Sequence, residues 1–309
     1  MNTSWDSDQL DLDAYLRRVD HHGERTATVG TLHALHRAHM LHIPFENLEI
    51  TAGRPVRLDL PSLERKMVRS RRGGYCFEHA LLFGAVLEAL GFGVEGFIGR
   101  VRLGQGDGPD LSETHAVLRV TTPDTGQRWL SDVGFGSAAL APVEFADGAE
   151  VSAGGRRWRL RQEDEWHWVL QQLVVAGGRT RTGEAGGRTG GGEAGDDGSG
   201  AVVEAVDQHA FTLSPRRPVD YEVGNFYVST WPRSPFVTRP FATRVTAEGV
   251  VHGLDGLTYR VTHPDGSVTD EHTYRPEEVP TALEGVFGIA LDDRDASTIV
   301  QHLRERAER

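Results

Sequence analysis

Apolar residues in the first ninety positions recur every three or four residues over 11–19 and again over 31–41, which predicts two helices with one buried face each. The stretch 61–68 opens with Pro61 at a first helical turn and predicts a third. Residues 43–61, rich in Pro, Asn and Gly, read as a loop with a few apolar anchors. From Cys76 to Leu90 the chain is apolar on most faces, so it predicts a helix buried all round, with Gly91 placed for a left-handed C-terminal cap. Beyond Gly93 the period changes to two. Stretches 94–101, 115–122, 129–133, 157–160 and 166–173 predict short strands between Gly, Asp and Pro turns, as in a small antiparallel barrel or sandwich. Further strands are predicted at 226–229, 241–245 and 258–262, and a terminal helix at 295–306.

Residues 177–200 break this patterning: 11 of the 24 are Gly and no large apolar residue occurs. Such a segment cannot bury enough surface to offset its ordering entropy, so it reads as a flexible surface insertion, a tolerated loop expansion rather than a binding element. With 309 residues the chain is long enough for about two domains of ordinary size. Its net charge of −12 argues against a general nucleic-acid or anionic-membrane binder. The longest apolar run, near 80–90, is interrupted by Glu88 and is shorter than the ~20 residues that span a bilayer. The first residues are acidic where a signal peptide is basic and then apolar, and a single Cys makes no intramolecular disulfide. These features predict a soluble cytoplasmic protein.

The lone Cys76 follows Arg71-Arg72-Gly73-Gly74-Tyr75, a Gly-Gly turn that leads straight into the long apolar helix. Free N–H groups and the positive end of the helix dipole favour a thiolate there. A small buried hydrophobe is the competing reading, because free Cys is among the most buried residue types. A thiolate nucleophile needs a base, and the base an orienting group. If Pro123–Gly126 is a hairpin turn, Thr122 pairs with Gln127, His115 faces Gly134 and Asp132 faces Val117. His115 and Asp132 are then diagonal neighbours on one face, within side-chain reach, unless a bulge intervenes.

Several strings, in order along nearly the whole chain, now carry a resemblance: His42-Ile-Pro-Phe-Glu-Asn-Leu-Glu, Gly53-Arg-Pro-Val-Arg-Leu-Asp-Leu, Arg71-Arg-Gly-Gly-Tyr-Cys-Phe-Glu, Thr114-His, Asp132-Val-Gly-Phe-Gly, Asn225-Phe-Tyr-Val-Ser-Thr and Pro232-Arg-Ser-Pro-Phe. The sequence closely resembles the arylamine N-acetyltransferases. That resemblance implies an α+β fold related to papain and transglutaminases, with a helical bundle (1–92), an antiparallel β-barrel carrying the insertion (93–205) and an α/β lid (206–309). It implies a Cys76–His115–Asp132 triad, a supporting Glu46–Arg72 pair, and a substrate slot at Phe45, Phe135 and Tyr221, each of which could equally be core. It further implies coenzyme A contacts at Thr114, Gly134, Ser229, Thr230 and Trp231. The expected partners are acetyl-coenzyme A, as co-substrate with no permanently bound cofactor, and an arylamine or hydrazine. Two positions depart from the family pattern, Ala80 and Trp231, and the second leaves open an amide synthase that closes a macrolactam from a polyketide thioester on an acyl carrier protein. A thiol protease lacks its Cys-Gly-Ser-Cys-Trp-type motif here, and a non-catalytic relic conflicts with three intact triad types.

His33, His36, His39 and His42 recur every three residues, but steps of three sweep around a helix and do not converge on a metal. They read as a helix surface and packing run, and no metal is expected. The basic run Arg65, Lys66, Arg69, Arg71 and Arg72 fits either a solvated helix face or a coenzyme A phosphate. Replacing 177–200 by a short Gly-Ser linker is expected to leave Tm and turnover nearly unchanged, since loop-closure entropy varies slowly with length. A large loss of turnover in a folded product overturns the insertion reading.

Overall fold

The computed structural model describes residues 5–103, 111–175, 195–196 and 202–307, so the proposed insertion lies outside it except for Gly195–Asp196. The N-terminal part is helical: α1 (Leu12–Arg18), α2 (Val29–His42), a two-residue strand β1 (Phe45–Glu46), α3 (Leu48–Thr51), α4 (Leu60–Leu63) and α5 (Cys76–Ala89). Side-chain oxygens of Asp11, Thr28 and Asp59 accept backbone N–H groups at the starts of α1, α2 and α4 and so satisfy otherwise orphaned donors. The helix predicted from Pro61 continues as a π-helical stretch over Glu64–Arg69. α5 is buried at every position from Cys76 to Leu87, and Gly91 turns the chain with φ +93°.

The following strands form one antiparallel sheet in the order β5 (Val143–Glu144), β4 (Arg128–Leu130), β3 (Glu113–Thr121), β2 (Gly93–Val101), β10 (Val202–Thr212), β8 (His167–Val175), β7 (Arg156–Gln162), β6 (Glu150–Ala153), with β9 (Gly195–Asp196) paired to β10. The sheet is a nearly closed barrel, and it continues past residue 205 through Thr212. Beyond it come α6 (Tyr221–Thr230), α7 (Pro235–Thr238), a second sheet, α8 (Val279–Gly285) and α9 (Asp293–Ala307). That sheet runs β1, β11 (Phe241–Val245), β12 (Val251–Asp255), β13 (Thr258–Thr262), β14 (Val268–Thr273), so its first strand comes from the N-terminal part. Phe45 lies opposite Thr243 and Glu46 opposite Ala242.

Three expectations are corrected. The stretch 226–229 is helical, within α6. Its buried residues are Tyr221, Gly224, Asn225 and Val228, a helical spacing that the exposed Phe226 and Tyr227 conceal. The strand expected over 129–133 ends at Leu130, although the Ser131 N–H still reaches the Leu118 carbonyl. The histidine run of α2 keeps its packing role but is less of a helix surface than expected, because His36 and His39 are fully buried and only His33 and His42 are half-buried.

Trp5 anchors the start of the described chain against α5. Its backbone N–H donates to Glu88 at 2.9 Å, and a Cβ added at Gly84 would meet its ring at 2.5 Å. Gly84→Ala is therefore expected to lower stability by ~1–3 kcal/mol in urea denaturation, since the ring is not the tip of a flexible side chain and cannot yield cheaply. Stability equal to that of the parent chain contradicts this packing.

Candidate active site

Cys76 is the first residue of α5 and is only 4% exposed. The turn before it is held from several sides. Arg71 takes φ +53°, and a Cβ on Gly73 would lie 2.0 Å from the Pro44 carbonyl, so only glycine fits at 73. The Glu46 carboxylate receives Arg72 Nε at 2.9 Å, the Gly73 N–H at 3.2 Å and the Leu48 N–H at 2.6 Å. Burial acts to raise the Glu46 pKa, but Arg72 and the other donors outweigh it and bring it down to about 2. The Glu78 carboxylate accepts the Tyr75 N–H at 3.1 Å and pairs with Lys66 at 2.7 Å. The basic run thus divides: Arg72 and Lys66 are committed to buried carboxylates, and Arg69 pairs with Glu64 and Asp11.

The barrel brings the other candidates to this thiol. Residue 114 is the extra residue of a β-bulge between β2 and β3, and its carbonyl accepts from Cys76 Sγ at 3.4 Å. The bulge lies before His115, so the β3–β4 register keeps the expected pairing, Thr121 with Arg128 and Arg119 with Leu130. His115 Nε2 donates to Asp132 Oδ2 at 2.8 Å, and both side chains are buried. The Gly134 N–H donates to Asp132 Oδ1 at 3.1 Å. Gly134 itself abuts Cys76, where a Cβ would come within 2.9 Å of the Cys76 Cα.

A residue that the sequence reading missed joins them. His209 on β10 is fully buried and donates from Nε2 to Asp132 Oδ2 at 2.9 Å. A bulge at residue 208, where β10 slips against β8, aims it inward, so strand alternation alone gives no signal for it. Burial acts to raise the Asp132 pKa, but His115 and then His209 hold it well below the usual carboxylate range. Burial acts to lower that of His115, yet Asp132 and a hydrogen bond with Cys76 bring it up to about 10. His115, Asp132 and His209 are also the one group able to ligate a metal among the described residues, with ligand atoms within 4.8 Å of one another. Direct hydrogen bonds already satisfy the shared oxygen without an ion.

Of the aromatic candidates, Phe135 packs edge-on to His115 at 5.0 Å and Phe45 stacks on His79 at 6.3 Å. Both are half-buried. Tyr221 is instead a core residue. It lies fully buried between Trp5 and Phe77, its hydroxyl donating to the Phe97 carbonyl. Ser229, Thr230 and Trp231 lie at the C-terminal end of α6, with Trp231 exposed, stacked on Tyr227 and overlain by Arg233 at 5.2 Å. No helix among the described residues is long and apolar enough to cross a membrane.

A nearly closed barrel packed on a helical layer places a buried thiol at a helix start near a buried imidazole–carboxylate pair, residue types that thiol-dependent group-transfer proteins employ. The family model described as N-acetyltransferase matches residues 28–296. An arylamine N-acetyltransferase of Mycolicibacterium smegmatis is 36% identical over 287 residues, covering 92% of this chain and 94% of the relative. The crystal structure of the Nocardia farcinica arylamine N-acetyltransferase superposes with a TM-score of 0.83 at 42% identity, covering 98% of each chain. The Mycobacterium marinum arylamine N-acetyltransferase in complex with CoA gives a TM-score of 0.78 at 31% identity, over 96% of this chain and 98% of that one. The chain belongs to the arylamine N-acetyltransferase family.

The buried imidazoles set the pH dependence of stability. Burial brings His36 and His79 down to about 4 from 6.5, so between these pH values the unfolded chain binds more protons and stability falls as acid is added. His115 acts oppositely: its stabilisation is complete below pH 6.5 and is lost as pH rises towards about 10. Urea denaturation across pH is therefore expected to show maximal stability near neutrality, falling ~1.4 kcal/mol per pH unit on the alkaline side and several times more steeply on the acid side, where His36, His39, His79 and His209 all take up protons on unfolding. A maximum above pH 9 contradicts the paired, charged state of His115.

Proposed function

We propose that the chain transfers an acetyl group from acetyl-coenzyme A to an arylamine or hydrazine through a thioester on Cys76. The observation that carries this reading is the lone buried thiol at the start of α5, held against Gly134 and the residue 114 carbonyl, next to an imidazole whose Nε2 is already committed to Asp132. Proton exchange with the sulfur then falls to His115 Nδ1. The Cys76 sulfur attacks the thioester carbonyl, the bond to the coenzyme A sulfur breaks, and His115 returns the proton to the departing thiol. The amine nitrogen, neutral near pH 7 in an arylamine, next attacks the acyl-cysteine. His115 takes its proton, the amide forms, and Cys76 is released. Asp132 holds the ring in the required tautomer and stabilises the imidazolium. Phe45 and Phe135 supply apolar surface for the aryl group, and Thr114, Gly134, Ser229, Thr230 and Trp231 are assigned to coenzyme A.

Membership in the arylamine N-acetyltransferase family, and a relative solved with CoA, support coenzyme A as the carrier of the donor. The carrier-bound polyketide donor of an amide synthase has no such support.

Steady-state kinetics are expected to give parallel double-reciprocal lines, and acetyl-coenzyme A alone to add about 42 Da to the Cys76 peptide. His115→Ala and Asp132→Asn are expected to slow formation of that adduct by on the order of 10³–10⁴, and Cys76→Ser to remove it. Intersecting lines with no trappable adduct overturn the acyl-enzyme, and direct transfer in a ternary complex takes its place.

A further inference from the structure

α2 carries two buried histidines one turn apart that the chemistry above does not use. His36 Nε2 lies 2.8 Å from the Ala139 carbonyl, and its Nδ1 lies 2.8 Å from Ser131 Oγ. A carbonyl only accepts, so Nε2 holds the proton and Nδ1 receives the Ser131 hydroxyl. One neutral imidazole thereby spans both ends of the loop that bears Asp132, Gly134 and Phe135. His39 begins a second chain. The Gly74 carbonyl accepts from His79 Nε2 at 3.0 Å, His79 Nδ1 accepts from His39 Nε2 at 2.8 Å, and His39 Nδ1 accepts from the Tyr15 hydroxyl at 2.8 Å. The terminal carbonyl again dictates the direction of every hydrogen bond, and Gly74 stands two residues before Cys76.

We propose that α2 acts as a ruler between the two halves of the site, with His36 and His39 as positioning residues that set the Asp132 loop against the Cys76 turn. The proposal rests on the Cys76–His115–Asp132 reading. Packing alone does not account for the arrangement. Both rings touch Phe83 edge-on, at 6.4 and 5.0 Å, and a leucine would serve that contact without burying two ring nitrogens in each residue that must be matched. Each imidazole is instead matched at both nitrogens: His36 by the two ends of the Asp132 loop, and His39 by Tyr15 of α1 and by His79, which carries the chain on to the turn before Cys76. Low burial-shifted pKa values for His36, His39 and His79 agree with neutral rings in this network.

The test measures, in the full chain, the second-order rate of iodoacetamide alkylation of Cys76 and the rate of acetyl-adduct formation, with Tm monitored in parallel. Ser131→Ala removes one hydrogen bond and little volume, and is expected to slow both rates about fivefold. His36→Leu, which removes two, is expected to slow them by on the order of 25-fold, and His36→Gln, which keeps a donor and an acceptor, to restore much of the loss. His39→Leu is expected to slow alkylation from the Cys76 side. Parent rates in folded His36→Leu and Ser131→Ala overturn the ruler and leave only packing; if His36→Leu does not fold, Ser131→Ala decides. His115→Ala separates the two readings. Unchanged alkylation in that variant sinks the triad itself, whereas slowed alkylation there with unaffected His36→Leu and Ser131→Ala sinks only the ruler.

Discussion

The site is built around one buried anion. Removed from water, the Asp132 carboxylate demands compensation, and it receives three donors: His115 and His209 on Oδ2 and the Gly134 N–H on Oδ1. These donors come from β3, from β10 and from the loop that Asp132 itself begins. Satisfying the charge therefore requires that β3, β2 and β10 lie side by side in the order observed. The two bulges belong to the same constraint. Residue 114 brings its carbonyl to the thiol, and residue 208 shifts the alternation of β10 so that His209 faces the carboxylate.

A second buried anion governs the thiol side. Glu46 gathers Arg72 and the N–H groups of Gly73 and Leu48, fixing the turn that delivers Cys76 to the start of its helix. Arg72 also approaches Glu49 at 3.3 Å and Asp295 at 3.7 Å, and Arg54 bridges the same two carboxylates. The C-terminal helix α9 is thereby tied to the turn before Cys76. Buried ion pairs of this kind contribute little net stability against an apolar alternative, but breaking one strands a charge. Their effect here is geometric, since they hold two chain segments in one arrangement.

Between these two anions lies an aromatic lining. Phe135 rests edge-on to His115 and His209, and Phe45 stacks on His79 and meets Phe236. The imidazoles are thus surrounded by rings rather than by open solvent. Such an environment strengthens the His115–Asp132 interaction.

The sequence alone determined whatever depends on short-range pattern. A Gly-Gly turn before an apolar run placed Cys76 at a helix start, and a four-residue turn with an even register placed His115 and Asp132, 17 positions apart, on one face. Ordered family strings carried the barrel and the Glu46–Arg72 pair. Tertiary structure alone decided the long-range partners: His209, 77 positions from Asp132, and His36, 95 positions from Ser131. It also decided that 226–229 is helix rather than strand and that Tyr221 is core rather than slot. The physical reason is that local periodicity specifies an element and the face it buries. Which buried side chains meet depends on strand order, on bulges that invert alternation, and on charges that must be satisfied once water is gone, and none of these is written in any single window of the chain.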